Sequence, residues 1–600
     1  MVHHVTKPQI ALVERDKDLR SPAEQKLDQN LLDAIRAGKP GRVVAGVPHL
    51  QAAPIGDAGD VIEVDIHAKM SPELLDKIRE LGGTVEYHSP ENHLSQDSGA
   101  RAFVPKEALK PLASRSDVRA ITQAYDPTAQ YEPNSEGDIA HAANLVRTKF
   151  TAQGAGVKIG VISDSIDDGH DAEESAFTTG VLNSDLVTVL RDSSGAIQDG
   201  AGRGEGLAML EIVHAIAPAA GLYFATGNGS PWHMADNIRA LRDAGCQIIV
   251  DDLIYPDESP FQDDVIGRAI DEVSASGVLY FSSAGNYGNV SHHTSMTWEG
   301  DFHDGGPVAS QLRGREPAAR VHVFEGMVTL NTVDGAIGTK SADLFWSDPL
   351  GHSSNDYDMF VVDSGGNVVQ HGDRIQNGTQ DPYEHVDGIH SGQSIMIVKK
   401  ANAQSRFLHL EITGGRLRHS TGGSTRGHNA NGAANSFSVA AIRAPNPPSA
   451  FNAGAQEKVE EFSSDGPRRV FFSPDGSPIT PGDFTSSGGL LLQKPDIAAA
   501  DGVSTTFSPP SKFNPFLGTS AAAPQAAAIA ALLLSCAPRT TAAQIRAVLE
   551  RTAIPIEGAS PNVTAGHGIV MANAAAQAIC AVSTVDPATV APQADAKGRR

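Results

Sequence analysis

Asn514–Ala530 reads NPFLGTSAAAPQAAAIA. Gly518-Thr519-Ser520 runs directly into the small residues Ala521, Ala522 and Ala523, then Pro524, then an Ala/Leu stretch that predicts a helix of about four turns. A serine between a glycine-bearing turn and a helix start holds its hydroxyl close to unpaired backbone N–H groups, where negative charge is stabilised. The three alanines leave room for another molecule to approach Ser520. The competing reading is an N-cap serine on a buried helix.

The stretch GTSAAAP resembles the GTSxAxP motif of the subtilisin-like serine peptidases, in which the Ser is the acylating nucleophile. That resemblance implies an α/β fold: a subtilisin-like parallel sheet with helices on both faces, preceded by an inhibitory pro-region. It also implies that an Asp, a His and an Asn precede the Ser in the chain. Val157–Ser163 (VKIGVIS) reads as a buried parallel strand that delivers Asp164 at its C-terminal end, where ligands sit in open α/β sheets. The family carries its Asp in a VIDSGID-type motif here, and this chain reads VISDSID from Val161 to Asp167. The alternative is a surface-turn Asp.

Gly204–Leu222 (GEGLAMLEIVHAIAPAAGL) reads as a helix, Ala217-Pro218 and a strand. The family's helix starts His-Gly-Thr-His; here Glu205 stands in the His position, with Gly206 after it. Met209, Ile212, Val213 and Ile216 recur at helical spacing, and Glu205 lies one turn before Met209 on that face. His214 is nine residues on and rotated away, which makes it a poor substitute base; it reads as a solvated or C-terminal helical His. A Glu in this role resembles the sedolisins, with their Ser-Glu-Asp triad, although Met209 occupies the position of their second acid. The competing reading of Glu205 is a first-turn acid complementing the helix dipole.

The strand Gln247–Val250 leads to Asp251-Asp252, and Asp252 takes the place of the Ser in the family's pocket-lining Ser-Leu-Gly segment. Asp252 either shares a proton with Glu205 or Ser520, or faces water as a loop Asp. Val278–Ser283 leads to Ala284-Gly285-Asn286, which resembles the AAGN motif whose Asn binds the developing oxyanion; a turn Asn is the alternative. The resemblance makes Asp164, Glu205, Ser520 and Asn286 the catalytic set, with Asp252, Gly285 and Thr519 on the substrate side. Downstream, Glu461–Pro467 and Lys494–Ile497 match the family's FSSxGP and KPDI segments, and Gly566–Val570 its closing GxG turn.

Six hundred residues are too many for one core, so two to four domains are expected. The apolar fraction of 40% and charged fraction of 20% fit a soluble globular protein. A net charge of −24 disfavours nucleic-acid binding. No apolar run suggests a membrane span, and the N-terminus lacks the apolar core of a signal peptide. The resemblance implies a secreted or cell-envelope location; the missing signal leaves a cytoplasmic one open. Of the cysteines, Cys246 reads as a core thiol, while Cys536 and Cys580 either form one bridge or stay as two free thiols.

Residues 1–55 read as a mobile leader with one short helix at Ala23–Ala37, and 56–125 as a β-α-β-β-α-β unit of ferredoxin type, the pro-region and intramolecular partner that the resemblance implies. The stretch 125–137 reads as a linker and processing site. The sheet domain takes 138–294 and 430–582, interrupted at 295–429 by an all-β insert that resembles the jelly-roll domains attached to secreted subtilisin-like enzymes. Within that insert Asp356 and Asp358 are candidate calcium ligands, two acids at alternating strand positions; no other cofactor is expected. The tail 583–600 reads as disordered. The expected activity is hydrolysis of protein or peptide substrates through an acyl-enzyme, with Glu205 as base. The rival is an inactive peptidase fold that binds peptides or partners, and a serine esterase is a third reading.

Overall fold

The computed structural model describes residues 20–27, 31–32, 35, 61–88, 99–123, 136–166, 182, 187–192, 204–228, 230–307, 319–335, 340–373, 375–454, 457–507 and 513–583. Residues 125–135 of the expected linker, the tail past Ser583, Asp167 and most of the leader lie outside these residues, whereas Glu136 and Gly137 of that linker are helical. The chain divides into two compact units, residues 1–128 and 129–600.

The first unit follows the expected order: β1 (Val61–Ala68), α1 (Pro72–Glu80), β2 (Thr84–His88), β3 (Gly99–Pro105), α2 (Leu109–Ala113) and β4 (Val118–Gln123). Its antiparallel sheet runs β2-β3-β1-β4. Alternation in β1 buries Ile62, Val64 and Ile66, and α1 lays Leu74, Leu75 and Ile78 on them. The Ser71 hydroxyl caps α1 by accepting from Leu74 N (3.3 Å), with Pro72 at the first helical position. Part of the expected leader is not free chain. Leu27, Leu31 and Leu32 are buried in this same core, and a 3-10 turn at Glu24–Lys26 stands where the helix was expected to begin.

The second unit is built on a seven-stranded sheet. Its strands are β5 (Lys158–Ser163), β6 (Val187–Arg191), β7 (Gly221–Thr226), β8 (Ile248–Asp251), β9 (Leu279–Ser283), β21 (Ser436–Arg443) and β24 (Ile497–Asp501). They run in the order β24-β21-β9-β8-β5-β7-β6, with every pairing parallel. Both faces are covered, which is why the strands read as continuous apolar runs. Val161, Phe224, Val250 and Phe281 point to one side, packed with α5 (Glu205–Ile216), α8 (Thr519–Cys536) and α10 (Ala572–Ser583). Ile162, Ala225, Ile249 and Tyr280 point to the other, packed with α6 (Pro231–Asp243) and α7 (Val265–Ala275). This is the subtilisin-like arrangement the sequence implied. The helices α3 (Glu136–Ala140), α4 (Ala143–Phe150) and α9 (Ala542–Thr552) complete it.

Two helices differ from expectation. In α5 every residue from Gly206 to Val213 is buried, so it is a core helix and not one with a single apolar face. By length and composition α8 is apolar enough to cross a membrane, but Thr519–Leu533 is buried inside the protein, as a core helix is. A disulfide joins Cys536, at the end of α8, to Cys580 of α10. Cys246 is a free buried thiol, pushed up to about 12 by burial.

The insert is a sandwich of two antiparallel sheets. One runs β10 (Thr297–Asp301), β19 (Phe407–Ile412), β14 (Lys340–Trp346), β17 (Tyr383–Ile389). The other runs β11 (Asp304–Pro307), β12 (Arg320–His322), β18 (Ser394–Lys399), β13 (Asn331–Asp334), β20 (Arg416–Leu417), and β15 (Tyr357–Val362) pairs with both β18 and β16 (Val368–Gly372). The all-β expectation for this insert holds; within it Glu384, His385 and Asp387 interrupt the apolar pattern of β17. A two-stranded ribbon, β22 (Arg468–Val470) and β23 (Leu490–Leu492), follows β21. Among the described residues no group of three or more His, Cys, Asp or Glu side chains is placed to hold a metal ion, and Asp358 lies 3.6 Å from Lys400 Nζ.

Candidate active site

Strand β5 ends in Asp164, and Asp164 explains where α5 begins. Its Oδ1 accepts from the backbone N–H of Ser165 (2.5 Å), Glu205 (2.9 Å) and Gly206 (3.3 Å). Two of these donors are unpaired first-turn groups of α5, so a carboxylate from a neighbouring strand caps that helix. Gly204 reaches the helix start with φ of 88°, and a Cβ on Gly206 would lie 2.4 Å from the Phe224 ring and 2.8 Å from Ser165 O. Only glycine permits so close an approach. Glu205 is thereby fixed as the first helical residue, beside Asp164.

The second oxygen of Asp164 is buried without a hydrogen-bond partner. Burial, joined by repulsion from Glu205, pushes the Asp164 carboxyl up to about 6. Asp252, just past β8, completes an acidic trio. Both its carboxyl oxygens are shielded from water, and so is the adjacent Ser163 Oγ. Burial first, then Glu205 and Asp164, push Asp252 well above the usual carboxylate range. Of its two sequence readings, the loop Asp facing water is therefore set aside. Glu205 is only partly buried. Burial weights both aspartates toward their protonated forms.

Ser520 is the second residue of α8, 6% exposed, and its hydroxyl makes no hydrogen bond among the described residues. Helix α8 packs against α5. Pro524 lacks the N–H that would close the helical bond to Ser520 O. Gly518 has φ of 122° and donates its N–H to Asp501 Oδ2 at 3.1 Å.

Asn286 lies past β9. Its Oδ1 accepts both the N–H of Thr519 (3.1 Å) and the Thr519 hydroxyl (3.0 Å), while the Thr519 oxygen accepts from Gly285 N (3.1 Å). Since both partners of Oδ1 are donors, the amide is oriented with Nδ2 as its free end. A Cβ on Gly518 would sit 3.3 Å from that nitrogen. The Asn286 amide donor and the backbone N–H of Ser520 thus both lie against Gly518, at the start of α8. The structure brings together Asp164, Glu205 and Asp252 as one group, and Gly285, Asn286, Thr519 and Ser520 as the other. Of the two readings of His214, the structure gives the C-terminal helical one: it lies in the last turn of α5, with its Nδ1 buried and its pKa lowered by burial.

Sequence reasoning missed several groups around this edge. Glu211, on α5, is buried against Thr506 and pushed up to about 7 by burial. His428 is buried between Asp251 (Nε2 to Oδ1, 3.0 Å) and Glu258 (Nδ1 to Oε2, 2.8 Å). Burial opposes its charge, yet Glu258 and Asp251 hold it well above the usual imidazole range. Asp501 had a signal: like Asp164, it ends an apolar run, Ile497–Ala500. Nothing in the local pattern marks His428 or Arg426.

Residues 332–569 match the family model Peptidase S8, the subtilase family. That stretch contains Thr519 and Ser520; Asp164, Glu205, Asp252 and Asn286 precede it. Among solved structures, the Clostridium perfringens CspB protease is similar at 16% identity over 74% of this chain and 97% of that one, with a TM-score of 0.48. Fervidolysin from Fervidobacterium pennivorans, a keratinolytic enzyme related to subtilisin, is similar at 14% identity over 86% and 61%, with a TM-score of 0.32. A lanthipeptide protease is similar at 15% identity over 73% and 93%, also with a TM-score of 0.32. No curated protein matches the chain.

Proposed function

We propose that the chain is a serine-type endopeptidase of the subtilase kind in which Glu205 replaces histidine as the base. The observation that carries this reading is the Asn286 amide, locked by Thr519 with its donor end beside Gly518, the residue that also lies against the Ser520 backbone nitrogen. Ser520 Oγ attacks the peptide carbonyl and its proton passes to Glu205. Asn286 Nδ2 and the Ser520 N–H receive the oxyanion, and the amine leaves with the proton from Glu205. Water then releases the acyl group by the same steps in reverse. Asp164 holds Glu205 through the helix cap.

A carboxylate is a weaker base than imidazole, and a base works best near ambient pH. Digestion is therefore acidic to mildly acidic. The test is casein and peptide digestion across about pH 4 to 8, the span of carboxylate and imidazole values. Wild-type turnover lost in Ser520→Ala supports the reading; turnover surviving in Ser520→Ala ends it. The absence of histidine at position 205 favours one second reading, a peptide-binding scaffold without turnover, in which Ser520 stays unlabelled by a fluorophosphonate throughout that range. The Cys536–Cys580 bridge supports a location in an oxidising compartment, outside the cytoplasm.

A further inference from the structure

Residues 516–520 lead into the reactive corner at the start of α8, and the chain is anchored at both ends of that stretch. At its start, Phe516 N donates to Val503 O (2.7 Å) and Gly502 N donates to Phe516 O (2.8 Å). At its end, Thr519 donates both its N–H and its hydroxyl to Asn286 Oδ1. Between these anchors lie Leu517, 43% exposed, and Gly518, at a φ of 122°. Glycine has the widest backbone freedom of any residue, so this link keeps one conformation only if its polar groups are tied. The Gly518 N–H is tied by Asp501 Oδ2 at 3.1 Å.

Asp501 is the last residue of β24, in register with Arg443 of β21, and it is wholly buried. The strand end that carries it is itself fixed. His141, fully buried with its ring edge-on to Phe451, accepts from Ala500 N through Nε2 (2.9 Å), so its proton sits on Nδ1 and is donated to Val570 O at 2.7 Å. Asp501 O accepts from Ala444 N at 3.0 Å. The Asp501 carboxyl bonds one other residue, Gly518; its Oδ1 is buried with no partner in another residue among the described residues. Burial pushes the carboxyl up to about 7 against the Gly518 bond, which favours the charged form, while Glu460 and Arg443, the charged groups acting on it, oppose each other. An aliphatic side chain would suit so buried a position better, but it would leave the Gly518 N–H buried and unpaired.

Resting on the peptidase reading above, we infer that Asp501 is a positioning residue for Ser520: its carboxyl oxygen, fixed at the end of β24 and bonded to Gly518 N, sets the turn from which α8 starts. Asn286, past the end of β9, holds Thr519; Asp501, at the end of β24, holds Gly518. The turn before the nucleophile is thus braced from two strands of the sheet. Asp501 acts through the Gly518 backbone and touches no substrate. What the position requires is an acceptor oxygen, and a negative charge is not needed.

The test uses the full chain with Asp501→Ala, which removes the acceptor, and Asp501→Asn, which keeps it. Ile395→Val, in the sandwich core, is the control for a loss of packing elsewhere. Rates are read at about pH 5, below the Asp501 titration, where aspartic acid and asparagine are both neutral. The first readout is the rate of fluorophosphonate labelling of Ser520, with kcat and KM on a peptide. The second is hydrogen exchange of segment 514–520 in a Ser520→Ala background, which needs no activity. Asp501→Ala is expected to label about tenfold more slowly, the size of one lost hydrogen bond, with the loss in kcat, KM nearly unchanged and faster exchange. Asp501→Asn should stay within about twofold of wild type in both readouts, since its side-chain oxygen still accepts from Gly518. Ile395→Val should lower the unfolding midpoint and move neither readout. Should Asp501→Ala fail to fold, Asp501→Ser takes its place, its hydroxyl one bond shorter than the carboxyl oxygen it replaces. Labelling and exchange unchanged in the acceptor-free variant, or Asp501→Asn as slow as that variant, would overturn the inference. If wild type is never labelled, the peptidase reading fails by itself; exchange of 514–520 then decides the positioning claim alone, faster exchange in Asp501→Ala than in Asp501→Asn upholding it and equal exchange refuting it.

Discussion

Replacing Asp164 with asparagine probes the acidic trio at its best-defined member. Oδ1 of Asp164 is fully engaged by three backbone N–H groups, so any proton on this carboxyl sits on Oδ2, the buried oxygen without a partner. With the group titrating at about 6, it is roughly nine-tenths protonated at pH 5, one-tenth at pH 7 and one-hundredth at pH 8. Once ionised, the Asp164 carboxyl is a second negative charge beside Glu205. Ser520 labelling by a fluorophosphonate should therefore fall about tenfold from pH 5 to pH 7, and about ninefold more by pH 8. Asparagine keeps the Oδ1 acceptor for the helix cap and never ionises. Asp164→Asn should flatten the profile from about pH 5 to 8 and exceed wild type at its alkaline end. The assay is the second-order labelling rate by intact mass, with circular dichroism confirming the fold at each pH. A wild-type rate that rises through pH 6, or an Asp164→Asn profile that keeps the same alkaline limb, would refute the reasoning.

Gly518→Ala should abolish labelling while leaving most of the fold, because a side chain at φ of 122° is strained and its Cβ would press on Asn286 Nδ2; labelling within twofold of wild type would count against the Asn286 assignment. Stability should fall from pH 5 to pH 8. Burial pushes Glu211, Asp263 and Asp501 up to about 7 and Asp465 up to about 6, so the folded chain keeps protons that the unfolded chain releases above about pH 4. His141 and His322, held down to about 4 and about 3 by burial, act oppositely and lose stability as pH falls below about 6.5. A melting temperature at pH 8 equal to or above that at pH 5 would contradict this balance. Cys536→Ala should destabilise by up to about 4 kcal/mol, the entropy of closing the 44-residue loop, read as a lower denaturant midpoint; an unchanged midpoint is the contrary result.

Much of this fold is legible in the sequence because its strands are buried on both faces. Runs such as Val157–Ser163 and Val278–Ser283 announce themselves without help from long-range context, and each ends at a residue of the reactive corner. Asp164, Asn286 and Ser520 are readable for that reason: a strand end or a helix start fixes where each residue sits. The acidity of Asp252 was half legible, since the position follows from its strand while the burial of its oxygens depends on Glu205 and Asp164 arriving from elsewhere. The sandwich was less so. Its sheet β10-β19-β14-β17 buries Asp343 and Glu411 on a face that alternation alone assigns to water, and β17 carries polar residues there. Arg426, which pairs with Glu411, lies in a loop with no periodicity to read. Similarly, α5 read as one-faced from Met209, Ile212, Val213 and Ile216, whereas Glu211 is also in the interior, bonded to Thr506.

The most direct test of the central claim, that a carboxylate takes the Ser520 proton, is the labelling rate of Ser520 in wild type against Glu205→Gln at about pH 5, the acid side of the Asp164 titration. Glutamine keeps the shape and cannot accept the proton, so the account predicts a single adduct on Ser520 in wild type and a rate at least about a hundredfold slower in the variant. Equal rates in the two proteins would contradict it.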